Sequence, residues 1–345
     1  MQILEINFER TWRGGERQTL YDAMGCRSHG QQVTVLCRSG FPLQQKATAE
    51  GFEVKGFTGI FNVILFLLFN CRKYDVFHVQ TSHMLTYCII TKPFHGAKII
   101  FTRRLDFVPK KWITRLKYQL TDHVVAISTA IKKILENFGL KNVALISEIV
   151  VPRTLDKARG LKLLGDLGIK PGTRILATTS ALVQHKDPLT MVEAIRLLKG
   201  QRQDFVFLHF GNGVLESAVK EKIQEHQLQD VYKMMGFYDN VEDLFSIMEV
   251  FVMSSEEEGL GSSVLDAFIY KVPVVSTSAG GLKDLVEDGR GVVCEKHDPK
   301  ALAQGINLLL NDNVIAREIA EKAYDYVLKE HDMTYISGKY LALIA

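Results

Sequence analysis

The sequence predicts an α/β protein built from two Rossmann-like domains that face each other across a cleft, with a C-terminal helix crossing back to the first domain. Short apolar runs alternate with amphipathic segments, the alternation breaks once near the middle of the chain, and it then starts again. A chain of 345 residues also suits two domains of roughly 150–180 residues each. We place the domains at residues 1–152 and 153–330, and the returning helix at residues 331–345.

The first domain should contain a parallel sheet wrapped by helices. Amphipathic segments at 16–28 and 110–120 are its clearest helix candidates. Its candidate strands are the apolar runs 2–7, 32–37, 76–80, 98–102 and 123–127. The most apolar stretch, 59–69, is about half the ~20 residues needed to span a bilayer. It therefore predicts a buried helix, with a helix lying shallowly in a membrane surface as the alternative.

The second domain should repeat this organisation after a weakly periodic segment that contains Pro152 and the turn Gly168-Ile-Lys-Pro171-Gly172. Helices are expected at 187–198 and 241–246. The expected strands are 174–180, 204–210, 232–235, 250–254, 272–277 and 291–294. Ligands of such sheets bind beyond the carboxyl ends of the strands, so motifs that follow strands are the candidates for chemistry.

The charge is distributed unevenly along the chain. The net charge of +3 combines 20 Lys and Arg against 11 Asp and Glu in residues 1–150 with 22 against 28 in the remainder. A basic first half could face an anionic lipid, a phosphorylated acceptor or nucleic acid. Nucleic acid is the least favoured of these, because no recognition motif or aromatic and basic platform accompanies the charge.

The cysteines and the first residues predict a cytoplasmic protein. An odd number of cysteines without CxxC spacing indicates buried thiols in a reducing compartment rather than disulfides or a zinc site. These cysteines are Cys26, Cys37, Cys71, Cys88 and Cys294. Glu5 and Glu9 stand where a signal peptide would be apolar.

Two motifs with the residue types of an anion site follow the first strand of each half. Gly14 and Gly15 open a helix after the run 2–7, where backbone N–H groups and the helix dipole suit a pyrophosphate. A purely structural turn explains such a pair about as well, and the GxGxxG fingerprint of a dinucleotide enzyme is missing. In the second half, His185 and Lys186 follow the run 174–180, and a lysine there can neutralise a diphosphate or simply be solvated.

The motif that carries most of the functional inference is Glu258-Gly-Leu-Gly-Ser-Ser-Val-Leu-Asp266, after a strand and before a helix. Three consecutive acids, Glu256 to Glu258, repel one another, and stability alone rarely requires such crowding. A helix that starts near Gly261 can bind phosphate with its first N–H groups. An acidic solvated loop is the simpler alternative.

Three further strand ends carry polar residues. Gly280 and Gly281 repeat the strand, Gly-Gly, helix order and could be only a turn. His78, in a strand of the first half, is more simply a structural histidine. Arg103 and Arg104 follow an apolar strand directly and should direct positive charge into the cleft.

With these motifs in place, the sequence resembles retaining glycosyltransferases of the GT-B fold, family 4. The resemblance runs nearly end to end. It includes the Gly14-Gly15 loop, Tyr74-Asp-Val-Phe-His78, Val125-Ala-Ile-Ser128, Gly211-Asn-Gly213, Gly236-Phe-Tyr-Asp239, the motif from Glu258 to Asp266, Pro273-Val-Val-Ser with Gly280-Gly281, and Asp288-Gly-Arg-Gly291.

The resemblance implies a role for each matching position. Gly14 and Gly15 would border the donor diphosphate and the acceptor. Lys186 would pair with the diphosphate, helped by the helix N-terminus formed by Gly261, Ser262, Ser263 and Val264. Glu258 would hold the hydroxyls of the transferred sugar and Asp266 the ribose, while Gly236 and Phe237 would grip the base.

Three positions depart from the family pattern. The second acid of the motif is usually Glu but is Asp266 here, one methylene shorter. Ser180-Ala181 replaces a common Gly-Arg pair, which removes one phosphate-binding cation. A histidine often found in the first domain is replaced by Arg103 or Arg104, and Arg104 becomes the candidate catalytic cation of that half.

The resemblance implies transfer of a sugar with retention, from a UDP-, GDP- or ADP-sugar to a glycan or lipid-linked acceptor in cell-envelope polysaccharide or lipopolysaccharide biosynthesis. The diphosphate leaving group would be stabilised electrostatically. No Asp-x-Asp metal motif is present, so neither a catalytic metal nor a cofactor is expected. Peripheral contact with the inner face of the cytoplasmic membrane is also expected. The alternatives are a sugar-nucleotide epimerase, a glycan phosphorylase or an inactive nucleotide-sugar-binding protein of the same fold.

Overall fold

The chain divides into two compact units. The computed structural model describes residues 1–69, 72–109, 112–238 and 240–345. Unit 1 comprises Met1–Val151 together with Lys329–Ala345, and unit 2 comprises Pro152–Leu328.

Unit 1 is a parallel sheet with helices between successive strands. Its described strands, in the spatial order β3-β2-β1-β4-β5-β6-β7, are β1 (Gln2–Ile6), β2 (Gln32–Arg38), β3 (Glu53–Phe57), β4 (Val76–Val79), β5 (Lys98–Arg103), β6 (His123–Ala126) and β7 (Ala144–Leu145). Its helices are α1 (Gly14–Ser28), α2 (Pro42–Ala49), α3 (Ile60–Phe69), α4 (Ser82–His95), α5 (Trp112–Gln119) and α6 (Thr129–Asn137). The last helix of the chain, α14 (Met333–Ala342), also belongs to this unit.

The central strands of unit 1 form where the apolar runs predict them. Ile3 of β1 pairs in register with Val33 on one side and Val76 on the other, and all three strands are largely buried. Two strands were not predicted. β3 is an edge strand whose side chains are half-buried or exposed, so it produces no apolar run, and β7 has only two residues.

Two of the predicted helices of unit 1, α1 and α3, differ from their expected form. α1 begins at Gly14 rather than at residue 16, because the Glu16 carboxylate accepts a hydrogen bond from the backbone N–H of Arg13 (2.7 Å) and closes the first turn. The stretch 59–69 does form α3, but the prediction of a buried helix is wrong for most of its surface. Only Val63, Phe66 and Leu67 are buried.

The C-terminal segment forms α14 (Met333–Ala342), which packs on α1. The backbone N–H of Val150 donates to the carbonyl of His331 (3.0 Å). A Cβ on Gly25 would lie 2.8 Å from the Cβ of Ser337, so the two helices touch backbone to side chain at this glycine. The predicted amphipathic helix after residue 331 is therefore confirmed, and it completes the core of unit 1.

Unit 2 repeats the arrangement. Its described strands, in the spatial order β10-β9-β8-β11-β12-β13, are β8 (Arg174–Thr179), β9 (Phe205–Phe210), β10 (Tyr232–Gly236), β11 (Val250–Met253), β12 (Val274–Thr277) and β13 (Val292–Cys294). Its helices are α7 (Lys157–Asp166), α8 (Pro188–Lys199), α9 (Glu216–Glu225), α10 (Ser262–Ile269), α11 (Leu282–Val286), α12 (Pro299–Asn311) and α13 (Asn313–Glu330). Val241–Ser246, predicted as a helix, is a 3₁₀ helix.

Each sheet has one point where the strand order reverses. In unit 1 this point lies between β1 and β4, and in unit 2 it lies between β8 and β11. The connections after these two strands run in opposite directions, which leaves a crevice beyond their carboxyl ends. In unit 2 the crevice is bordered by the loops that carry Lys186 and Glu258.

The described cysteines are buried, while Cys71 lies outside the described residues. Burial raises the pKa of Cys37 to about 12 and that of Cys294 to about 11. Within the described ranges, no helix combines the length and the apolar character that crossing a bilayer requires.

Candidate functional site

The Lys186 loop of unit 2 is a short 3₁₀ turn between β8 and α8. Gln184–Lys186 form the turn, and Asp187 follows with a positive φ of 46°. The Asp187 carboxylate accepts a hydrogen bond from the backbone N–H of Thr190 (3.2 Å) and caps α8. This cap fixes the backbone position from which the side chain of the preceding Lys186 extends.

The acidic loop after β11 is bound to the Lys186 loop by backbone hydrogen bonds. The backbone N–H groups of Glu256 and Glu257 both donate to the carbonyl of His185, over 2.9 and 3.1 Å. The hydroxyl of Ser254 donates to the carbonyls of Lys186 (3.0 Å) and Asp187 (2.9 Å). The two loops are therefore held as one structure at the crevice.

This arrangement brings together the lysine and the glutamate that the sequence singles out. The ammonium of Lys186 donates to the carboxylate of Glu258, although the residues are 72 positions apart. Their side chains are only 18% and 14% exposed. An ion pair that is partly shielded from water holds two long side chains in defined positions.

The three consecutive acids find three different environments, which removes the repulsion expected between them. Glu258 pairs with Lys186, Glu257 is exposed, and Glu256 lies 3.7 Å from a nitrogen of His297. The other nitrogen of His297 lies 2.8 Å from the Asp187 carboxylate. His297 was not among the predicted site residues, and its position after β13, at the same edge of the sheet, is the one signal that could have indicated it.

The N-terminus of α10 begins beside the glutamate. Gly261 has a φ of 106°, and α10 runs from Ser262, so the turn requires glycine. The backbone N–H of Val264 donates to the carbonyl of Gly261 (2.9 Å) and is already used. Available N–H groups at this helix end are therefore those of Gly261, Ser262 and Ser263. Asp266 lies about one turn into the helix and is half-buried.

Gly280 and Gly281 support the backbone of the glutamate. Gly281 donates its N–H to the carbonyl of Glu258 (2.8 Å). A Cβ on Gly280 would lie 2.2 Å from that same carbonyl oxygen, and Gly280 has a positive φ of 50°. The turn suggested by the sequence is therefore a close backbone contact that sets the position of Glu258.

Gly236 and Phe237 lie at the end of β10. Gly236 has a positive φ of 66°, and its carbonyl accepts a hydrogen bond from the N–H of Gly211 (2.7 Å). Phe237 is 67% exposed, which leaves its ring available to a planar ligand. Asp239, quoted with these residues above, lies outside the described residues.

The Gly-Gly loop of unit 1 is the start of α1. Gly14 is the first residue of the helix, and a Cβ on Gly15 would lie 3.9 Å from Cδ of Arg104. The carbonyl of Gly15 accepts a hydrogen bond from the Thr19 hydroxyl (2.9 Å). The loop and the arginine predicted for this half thus lie close together.

Arg104 lies in a buried polar cluster rather than pointing freely from the strand end. Its Nη2 donates to Asp22 (3.2 Å), and its Nε lies 3.3 Å from a carboxylate oxygen of Glu148. The neighbouring Arg103 is buried and donates to the Tyr118 hydroxyl (2.8 Å). The expectation that both arginines direct free charge outward is therefore corrected: one is hydrogen-bonded to a phenol, and the other shares its charge with two acids.

His78 belongs to the same buried cluster and has the structural role that the simpler interpretation gives it. Its Nδ1 lies 2.8 Å from Glu5, and its Nε2 lies 2.8 Å from the Thr102 hydroxyl. That hydroxyl also contacts the Tyr340 hydroxyl of α14 (3.0 Å). Burial disfavours a charged imidazole, but the carboxylate of Glu5 outweighs it and raises the pKa of His78.

His209 is a second buried histidine, near the Lys186 loop. Its Nδ1 lies 2.7 Å from the Tyr232 hydroxyl, and its Nε2 lies 3.1 Å from the Ser180 carbonyl. Burial lowers the pKa of His209 to about 4, so the ring is neutral and serves to hold Ser180 in place.

Among the described residues, no group of three or more His, Cys, Asp or Glu side chains is placed to hold a metal ion.

Two family models match the chain in succession. Residues 12–152 match Glycosyltransferase Family 4, and residues 162–326 match Glycosyl transferases group 1. The two matches fall on the sheets of unit 1 and unit 2, and they include the Gly14-Gly15 loop, Lys186 and the motif from Glu258 to Asp266.

Curated relatives and solved structures agree with this assignment. The lipopolysaccharide core biosynthesis glycosyltransferase LpsE of Rhizobium meliloti is 25% identical over 50% of this chain and 49% of its own. The GalNAc-alpha-(1->4)-GalNAc-alpha-(1->3)-diNAcBac-PP-undecaprenol alpha-1,4-N-acetyl-D-galactosaminyltransferase of Campylobacter jejuni is 25% identical over 69% of this chain and 64% of its own. The chain thus spans about half to two thirds of the length of these two relatives.

The fold is shared with HepE of Anabaena, whose crystal structure contains UDP and glucose. The two superpose with a TM-score of 0.85 at 18% identity, over 99% of this chain and 98% of HepE. The predicted fold of two Rossmann-like domains is therefore confirmed, and together with the family matches it identifies the chain as a member of the GT-B glycosyltransferases.

Proposed function

We propose that the chain transfers a sugar, with retention, from a nucleotide-sugar donor to a glycan or lipid-linked acceptor in cell-envelope polysaccharide or lipopolysaccharide biosynthesis. The observation that carries this proposal is the Lys186–Glu258 ion pair beside the N-terminus of α10. It lies at the point of unit 2 where sheets of this kind bind ligands.

The donor diphosphate would lie against Lys186 and the N–H groups of Gly261, Ser262 and Ser263. An ammonium and a helix N-terminus together favour an anion, and both favour it more as charge develops on the leaving diphosphate. Lys186 acts in this scheme as the electrostatic catalyst. Its pairing with Glu258 keeps the ammonium in position before the donor arrives.

Glu258 and Asp266 would bind the two sugars of the donor. A carboxylate accepts hydrogen bonds from hydroxyls, and Glu258 is oriented by Lys186 and by its backbone contact with Gly281. It would hold the transferred sugar through its oxocarbenium-like transition state. Asp266, one turn further along α10, would accept from the ribose, and Phe237 with Gly236 would contact the base.

In unit 1, Gly14 and Gly15 would border the diphosphate and the acceptor. Arg104 lies beside this loop, and among the described residues its Nη1 has no hydrogen-bond partner. That nitrogen is the part of Arg104 that could serve a ligand, since its other nitrogens lie near Asp22 and Glu148. Arg104 remains the candidate catalytic residue of this unit on that basis.

The proposal requires neither a metal nor a cofactor, because lysine and backbone N–H groups meet the charge of the diphosphate. LpsE is by name a lipopolysaccharide core biosynthesis glycosyltransferase, and the name of the Campylobacter enzyme contains an undecaprenol-linked saccharide. The crystal structure of HepE contains UDP and glucose, so these relatives support a nucleotide-sugar donor and a glycan acceptor. We place the reaction in the cytoplasm, with peripheral contact to the inner face of the membrane through the basic N-terminal half.

The first experiment measures donor binding by thermal shift against UDP-, GDP- and ADP-sugars, because a ligand that binds the folded state raises Tm. We expect one nucleotide class to raise Tm and Glu258→Ala to lose that shift. The matched control is Glu257→Ala, an exposed acid in the same loop. The proposal is wrong if no donor shifts Tm, or if both variants bind as the wild type does.

The second experiment measures turnover with a labelled donor and a membrane extract, with and without EDTA. We expect Lys186→Ala to lower kcat by roughly 10²–10³, as loss of an electrostatic catalyst does, and EDTA to have no effect. NMR of the product should show the anomeric configuration of the donor. Inversion, or activity lost to EDTA and restored by a divalent ion, would contradict the proposed chemistry, and conversion of the donor without acceptor would indicate an epimerase.

A further inference from the structure

Unit 1 exposes a large apolar surface on α3, α4 and α5. More than half of the large apolar side chains that the described residues expose lie between Phe61 and Leu120. They recur at a spacing of four residues, which places them in one stripe along each helix. The stripes are Phe61, Leu65 and Phe69 on α3, Ile90 and Phe94 on α4, and Trp112, Leu116 and Leu120 on and just after α5.

These stripes lie side by side. α3 packs on α4, and α4 packs on α5. Beyond the C-terminal end of α3, Nε of Arg72 donates to the Phe94 carbonyl (3.1 Å). From α4, Nζ of Lys92 donates to the Leu120 carbonyl (3.3 Å). The three helices therefore end next to one another, and we call their common exposed surface the α3–α5 face.

The α3–α5 face belongs to a strongly basic segment. Residues 59–120 contain 10 Lys and Arg but only 2 Asp and Glu. Arg72, Lys73 and Arg115 are exposed at the ends and edges of the three helices. Apolar and aromatic side chains flanked by cations complement a surface that is apolar inside and anionic at its boundary.

Soluble monomers rarely expose a contiguous apolar surface of this kind without a function for it. A protein partner is less suited to the face, because the cores of protein interfaces are depleted in lysine and acids alike. An anionic bilayer satisfies both features, since aromatic rings and aliphatic side chains enter the headgroup boundary while lysine and arginine contact lipid phosphates.

We propose that the α3–α5 face docks the protein on an anionic lipid bilayer, with Phe61, Phe69 and Trp112 inserted at the headgroup boundary. This deepens the membrane contact of the proposed function, on which it rests, by naming the surface and the lipid charge. Insertion of apolar side chains also distinguishes this mode of membrane binding from attraction by basic charge alone. Binding by charge alone would be abolished completely by salt.

The test is co-sedimentation of the full chain with phosphatidylcholine vesicles, with and without phosphatidylglycerol. We expect binding to the anionic vesicles only, and at least a tenfold loss of partitioning in a Phe61→Ser, Phe69→Ser, Trp112→Ser variant. The control carries Val214→Ser and Val314→Ser, two exposed apolar residues of unit 2. Equal binding by the triple variant and the wild type would overturn the proposal.

Fluorescence gives a second readout that does not depend on the triple variant folding. The chain has two tryptophans, Trp12 and Trp112, so a Trp12→Phe variant reports on Trp112 alone. We expect its emission to shift to the blue with anionic vesicles and to be quenched by brominated lipid. An unchanged spectrum while the protein sediments would also overturn the proposal, because binding would then occur elsewhere.

One further outcome separates this inference from a competing one. The protein could form a dimer without vesicles, lose that dimer in the triple variant, and bind no lipid. This result would make the α3–α5 face an interface between two copies and would refute the proposal. The vesicle assay contains no nucleotide sugar, and donor binding is measured separately by thermal shift. Failure of the membrane proposal therefore leaves the donor-site result intact, and the reverse also holds.

Discussion

Replacing Arg104 by leucine distinguishes a structural from a catalytic role for this residue. The guanidinium is 13% exposed, while its partners Asp22 and Glu148 are 3% and 6% exposed. Removing it takes away the guanidinium that lies between these two buried carboxylates. Removal of one partner from a buried ion pair costs about 3–5 kcal/mol, and we take about 3 because the guanidinium keeps some contact with water.

The expected change in stability follows from this magnitude. At roughly 2–4 °C per kcal/mol for a unit of this size, Tm of unit 1 should fall by about 6–12 °C in Arg104→Leu, measured by differential scanning calorimetry. Adding Asp22→Asn should recover part of the loss, with a coupling free energy of at least about 1 kcal/mol.

Arg115→Leu is the control, since Arg115 is exposed and its hydrogen bond to the Gly139 carbonyl is long (3.4 Å). We expect it to change the free energy of unfolding by about 0.5 kcal/mol or less. The structural reasoning is refuted if Arg104→Leu also falls within that range. Lost turnover at unchanged Tm would then assign Arg104 to the reaction itself.

Three other changes should have effects that the structure specifies. Gly280→Ala should weaken donor binding at least tenfold and lower Tm in a thermal-shift assay, because its Cβ would displace the carbonyl of Glu258. His78 contributes stability that is complete below its usual pKa of 6.5 and is lost as the pH rises through the raised value in the folded state. Urea unfolding should therefore show unit 1 losing stability above pH 6.5, less so in His78→Gln. Cys37, with a pKa raised to about 12 by burial, should react with iodoacetamide at pH 8 only as fast as the protein opens.

Each of these expectations has a result that contradicts it. Gly165→Ala is the control for Gly280→Ala, because a Cβ at Gly165 meets nothing within 4 Å, and equal effects of the two changes would remove the role given to Gly280. A flat stability profile from pH 6.5 upward would show that His78 has no raised pKa. Rapid alkylation of Cys37 in the folded protein would show that its thiol is accessible.

The sequence identifies the donor loops because of a general property of parallel sheets. Lys186 and Glu258 each follow an apolar run, and loops after adjacent parallel strands meet at one edge. Their proximity could thus be anticipated without knowing the side-chain geometry. Gly261 was similarly recognisable, since a glycine between a strand and a helix often marks a positive φ.

The sequence could not supply the partners of residues that contact distant parts of the chain. Arg104 looked like free charge because Asp22 and Glu148 lie 82 and 44 positions away, and only the folded unit brings them together. α3 looked buried because its composition is apolar all round, whereas burial depends on how many neighbours cover it. β3 was missed because an edge strand needs no apolar run.

The return of the chain to unit 1 has a consequence for biosynthesis. Residues 329–345 emerge from the ribosome after the whole of unit 2, yet α14 covers Gly25 and places Tyr340 beside Thr102. The surface of α1 that α14 covers therefore stays exposed in nascent unit 1 while almost 180 further residues are synthesised. During translation, this surface is where a chaperone would find exposed apolar side chains, and removing α14 should make that exposure permanent.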